Sequence, residues 1–226
     1  MNQEKVLHRE VKVQTAAVEL EGDLFIPAQA QGVVAFVHGS GSSRHSSRNQ
    51  FVARVLQEAG LITLLFDLLT PAEERIDMVT RELRFDIPLL ARRTQGAVEW
   101  LEQQPELRHQ PIGLFGASTG AAAALIAAAN LPQSVRAVVS RGGRPDLAAE
   151  ALPRVQAPTL LIVGSKDIGV IELNRAAFAR LPPTLPKALK IVPGASHLFE
   201  EPGTLEQAAR LAQMWFRQYL QSTPAA

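Results

Sequence analysis

Cysteine is missing from this chain altogether. That absence excludes disulfides, thiolate metal sites and a cysteine nucleophile. Long apolar runs are missing too. No stretch reaches the ~20 residues that a helix needs to cross a bilayer, and the alanine-rich run Ala121–Ala129 is stopped by Asn130. The opening, Met1–Val13, is polar and charged and lacks the apolar segment of a secretory signal. A cytoplasmic location is therefore expected. There is also no excess of one charge: 23 basic residues face 22 acidic ones, for a formal net charge of +1. Nothing in that balance draws the chain toward nucleic acid or an anionic membrane, so the expected partner is a small molecule.

What is present suits one α/β domain over residues 1–226, with 46% hydrophobic and 20% charged residues. Val6–Val13 and Ala16–Ile26 alternate, which predicts an antiparallel hairpin. Short, continuous apolar runs follow at Gly32–Val37, Leu61–Phe66, Pro111–Phe115, Val135–Ser140, Thr159–Val163 and Ala188–Val192. Runs of that length suit strands buried on both faces. Helical spacing lies between them, over Asn49–Ala59, Leu89–Gln103, an alanine-rich stretch ending at Asn130, Ile171–Leu181 and Leu205–Leu220. This alternation predicts a mostly parallel sheet with helices on both faces. Leu68–Leu90 has no clear period, and the tail Ser222–Ala226 is expected to fray.

The loops that close the apolar runs carry the chemistry. Gly116-Ala117-Ser118-Thr119-Gly120 fits G-x-S-x-G between a buried strand and a small-residue helix, the context of a nucleophile elbow. Such a turn is tight, so its flanking residues must be small. The following helix N-terminus then aims its unpaired N–H groups at developing negative charge. A serine hydroxyl needs a base, and the base needs an orienting acid. Asp167 closes the loop after Thr159–Val163, and His197 closes the loop after Ala188–Val192. Both sit at strand carboxyl ends, where ligands bind in open α/β sheets. The oxyanion hole is expected from the N–H of Thr119 and of Ser40, with Gly41 as second choice. If Asp167 were not the acid, Asp146 would stand in for it. His38 is expected to shape its loop through backbone bonds, and Asp67 to brace loops.

HGSGSS after a buried strand, FGASTG, VGSKD and PGASHLFEEPG together resemble the dienelactone hydrolase-like branch of the α/β-hydrolases, from about Gly32 to Leu220. The resemblance implies Ser118, Asp167 and His197 as a triad, without metal or organic cofactor. Dienelactone hydrolases of this layout use a cysteine nucleophile. A serine at that place fits the hydrolysis of carboxylic esters better than the dienelactone substrate. The expected substrate is thus a small-molecule ester. A thioesterase or amide/peptide hydrolase with the same triad, or a silent binding protein on the same fold, are the alternatives.

Arg141 and Arg144 follow the run Val135–Ser140, and Arg44 and Arg48 follow the oxyanion loop. Arginine forks suit carboxylate or phosphate, so Arg141 and Arg144 are candidates for binding substrate, with surface ion pairs as the other reading. The charged stretch Glu73–Arg93 is too short for a full cap domain. A lightly covered pocket and short-chain esters follow from that.

Overall fold

The computed structural model describes residues 6–221. Eight strands form one sheet: β1 (Leu7–Gln14), β2 (Glu19–Ile26), β3 (Val33–Val37), β4 (Ile62–Phe66), β5 (Ile112–Ala117), β6 (Val135–Arg141), β7 (Thr159–Gly164) and β8 (Lys187–Val192). Their spatial order is β1-β2-β4-β3-β5-β6-β7-β8. β1 pairs antiparallel with β2, and β2 with β4; every later pairing is parallel. The apolar runs explain the order. β3, β4, β5 and β7 are buried at every residue and fill the interior of the sheet. β1 and β8, at the two edges, expose charged residues such as Arg9, Lys12 and Lys190, which discourages pairing with another chain.

Among the described residues six α-helices flank the sheet: α1 (Ser47–Glu58), α2 (Pro71–Thr80), α3 (Ile87–Gln103), α4 (Thr119–Asn130), α5 (Ile168–Arg180) and α6 (Thr204–Tyr219). α1 and α6 pack together on one face, around Val52, Leu56, Phe115 and Phe216. α3, α4 and α5 cover the other face, with a 3-10 segment over Pro145–Arg154 between α4 and α5. Ten of the twelve residues of α4 are buried. A helix apolar all round belongs in the interior, and its alanines let it lie close to the sheet.

The stretch without apolar period, 68–90, holds α2 and a 3-10 turn over Leu83–Phe85. Polar contacts fix it. Thr70 and Glu73 form a reciprocal capping box, and Asp77, 1% exposed, takes the backbone N–H and the Nε of Arg84 at 3.0 and 2.5 Å. No helix among the described residues is long and apolar enough to cross a membrane. The tail Ser222–Ala226 lies outside the described residues.

Candidate active site

Ser118 occupies the joint between β5 and α4. Its φ of 49° and ψ of −123° are a strained conformation for a residue with a side chain. Surrounding backbone holds it there. The Ser118 N–H donates to the Arg141 carbonyl at 3.3 Å, and its own carbonyl accepts from the N–H groups of Ala121 and Arg144 at 3.1 and 3.0 Å. The turn closes only with glycine on both sides. A Cβ on Gly116 would sit 2.5 Å from the Ala121 Cα, and one on Gly120 would sit 2.1 Å from the Val37 carbonyl oxygen.

Asp167 follows β7 and immediately precedes α5; His197 lies in the loop after β8. β7 and β8 are adjacent and parallel, so their carboxyl ends bring the two loops together. The His197 Nδ1 lies 2.6 Å from the Asp167 Oδ2. A carboxylate at Nδ1 fixes the proton on that nitrogen and leaves Nε2 as a base. Ser118 and His197 line one cavity of about 250 Å³, together with Ser40, Arg48, Asn49 and Arg141. No residue of 68–90 lines it. α2 and the 3-10 turn lie instead behind the His38–Ser42 loop, where Asp77 and Arg84 face Gly41.

Glu201, which the sequence reading passed over, ties these loops together. Its Oε2 accepts from the Ser196 N–H at 2.9 Å and the Ser196 hydroxyl at 3.2 Å, and its Oε1 accepts from Lys166 at 3.4 Å. Ser196 adjoins His197 and Lys166 adjoins Asp167. The N–H donor from Ser196 leads the contacts that hold the Glu201 carboxyl down at about 2. Its one sequence signal was position, four residues after the histidine in the same turn.

The loop expected to supply an oxyanion donor differs from expectation in one respect. The Ser40 N–H is engaged: it donates to the Thr119 Oγ1 at 2.9 Å. It must exchange that acceptor before it can serve an oxyanion. The Thr119 N–H stands in the first turn of α4, where helix geometry supplies no acceptor. Gly41, with φ of 65°, faces the Arg84 side chain and does not line the Ser118 cavity, so the second choice is corrected. His38 braces the loop, as its neighbours suggested. It is buried, its Nδ1 lies 2.9 Å from the Gly39 carbonyl oxygen, and its Nε2 accepts the Leu68 N–H at 3.1 Å. Burial lowers its pKa. Asp67 accepts the Arg44 backbone N–H at 2.7 Å and pairs with the Arg44 guanidinium.

The two arginines at the carboxyl end of β6 part company. Arg144 does not line the cavity; its guanidinium is held by both Asp146 oxygens, at 3.0 and 2.8 Å. This corrects its assignment as a substrate-binding residue and also occupies Asp146, the stand-in acid. Arg141 lines the cavity and is 7% exposed. One Nη donates to the Asn49 Oδ1 at 3.3 Å, and the other has no partner among the described residues. Burial, with the nearby Arg48 charge, lowers its pKa to about 10.

Known proteins agree with this architecture. A dienelactone hydrolase from Anabaena variabilis has 57% identical residues and a TM-score of 0.93, over 96% of this chain and 99% of that one. The esterase domain of a Rhodothermus marinus protein shares the fold, with a TM-score of 0.74 at 20% identity over 95% of this chain and all of that one. Two Mycobacterium tuberculosis proteins, named putative phosphoribosyl transferases, are 57% identical over 93% of this chain. The chain spans about half the length of these curated relatives, 46% of each. The sequence pattern of one family matches residues 20–221, nearly the whole described chain. The chain belongs to the dienelactone hydrolase family.

Proposed function

We propose that this chain is a serine esterase that cleaves small carboxylic esters through an acyl-enzyme. The observation that carries the reading is the 2.6 Å contact of His197 with Asp167 at the cavity that Ser118 also lines. His197 Nε2 takes the Ser118 proton as Oγ attacks the ester carbonyl. The Thr119 N–H receives the oxyanion, joined by the Ser40 N–H as it leaves the Thr119 hydroxyl. His197 then protonates the departing alcohol. A water activated by the same imidazole attacks the acyl-enzyme, and Ser118 leaves with the proton returned. Asp167 holds the imidazole tautomer and offsets the imidazolium charge.

Substrate size follows from the cavity. About 250 Å³ lies below the ~300–1,000 Å³ of pockets that take drug-sized ligands. A short acyl chain fits that space. Turnover of p-nitrophenyl acetate, butyrate and octanoate tests the reading. The expected order of kcat/KM is acetate or butyrate well above octanoate; a preference for octanoate contradicts it. The phosphoribosyl transferase name belongs to proteins twice as long. The serine–histidine–aspartate geometry here favours acyl chemistry.

A further inference from the structure

Arg141 is a charge that the fold leaves uncompensated. Among the described residues it forms no ion pair with a carboxylate. What holds it is weaker. The Asn49 amide oxygen accepts from one Nη at 3.3 Å. The Phe115 and Phe199 rings lie 5.9 and 5.8 Å from the guanidinium carbon, within cation–π range. The other Nη is buried without a partner. Burying an ion without a counterion is destabilising, so a protein retains one when something completes it.

The position says what completes it. Arg141 ends β6 and pairs in register with Ala117, the residue before Ser118. It therefore faces the cavity from the strand beside the nucleophile. The cavity lining also includes Arg48 and His197 but no carboxylate. Arg48 stands nearer solvent, 3.6 Å from Glu200. A guanidinium presents parallel N–H donors to two oxygens of one anion, and here an edge of that fork is vacant.

We propose that Arg141, seconded by Asn49 and Arg48, is a subsite for an anionic oxygen group of the substrate, a carboxylate or a phosphate carried a few bonds from the scissile ester carbonyl. The inference rests on Ser118 as the nucleophile and narrows its substrates to small acidic esters. Asn49 and the two rings are positioning residues; Arg141 binds.

Two measurements test it. The first compares kcat/KM for monomethyl succinate and for methyl butanoate, which lacks the carboxylate, in wild type, Arg141→Gln and Arg141→Lys. Wild type should favour the acidic ester. Arg141→Gln should lose roughly 10- to 100-fold on it, the worth of a charge-assisted hydrogen bond, and lose less on methyl butanoate, so that the ratio of the two kcat/KM values falls. Arg141→Lys should recover part of the loss. The second is calorimetric titration of succinate and of inorganic phosphate into wild type and into Ser118→Ala. Saturable binding of either anion supports the subsite, and the tighter of the two identifies the preferred group. No preference for the acidic ester and no anion binding in wild type overturn the subsite, whatever the variants do. Turnover of neither ester with anion binding intact overturns Ser118 as the nucleophile and leaves the anion subsite standing.

Discussion

The two ends of the cavity meet their charges in opposite ways. At the His197 end the chain supplies every partner: Asp167 stands at 2.6 Å from the imidazole, and Glu201 gathers Ser196 and Lys166 beside them. At the Arg141 end the chain supplies one amide oxygen and two ring faces. Arg93 is a useful third case. It is as buried as Arg141, 6% against 7% exposed, yet it meets the Glu73 carboxylate at 2.7 Å. Burial alone thus does not mark a ligand site. Burial without a counterion, on the wall of the cavity that Ser118 lines, is what sets Arg141 apart from Arg93.

Breaking the self-contained end should have the largest effect. Asp167→Asn keeps the shape but accepts no proton-fixing bond of the same kind from His197. We expect kcat to fall roughly 1,000- to 10,000-fold, on acidic and neutral esters alike. A loss confined to acidic esters would erase the distinction between the two ends. The selective loss expected of Arg141→Gln is its counterpart.

Stability sharpens the comparison further. Glu73→Ala should strand the Arg93 charge and remove the Glu73 half of the α2 capping box, at a cost of about 2–4 kcal/mol. Arg141→Met strands no carboxylate, and its stability should lie within about 1 kcal/mol of wild type or above it. Urea denaturation of both variants decides. Equal losses would mean that Arg141 is held by its surroundings as firmly as Arg93.

The smallest effect concerns the oxyanion loop. His38 is buried, and its folded pKa lies below its unfolded value of about 6.5. As pH falls through that value the unfolded chain gains a proton that the folded chain refuses. Stability should therefore drop toward acid, by at most about 1.4 kcal/mol per pH unit. Melting temperatures between pH 7.5 and 5.5 check this against His38→Asn, whose profile should be flatter. Parallel profiles would place the acid sensitivity elsewhere.

The sheet, its order of elements and the loops of Ser118, Asp167 and His197 were legible because apolar runs mark buried strands, and because small residues must surround a strained serine. α2 was not legible. Its place is fixed by Glu73, Asp77 and their arginine partners, 20 and 7 residues away, and charge pairs leave no apolar period in a sequence. The same limit explains Arg141 and Arg144. They stand three positions apart at the end of one strand, and only the fold shows that Asp146 takes one of them while the other turns toward the cavity. Ser40 was legible by position and not by bonding, since its acceptor, the Thr119 hydroxyl, is 79 residues away. Glu201 was hidden for a different reason: an acidic residue in a turn is unremarkable until the backbone N–H it accepts is known.

The central claim is that Ser118 is an activated nucleophile. Labelling by a fluorophosphonate probe, mapped by mass spectrometry in wild type and Ser118→Ala, tests it most directly. The account predicts one adduct per chain, on Ser118, and none on the variant. An adduct that persists in Ser118→Ala, or folded wild type that takes up no probe, would contradict it.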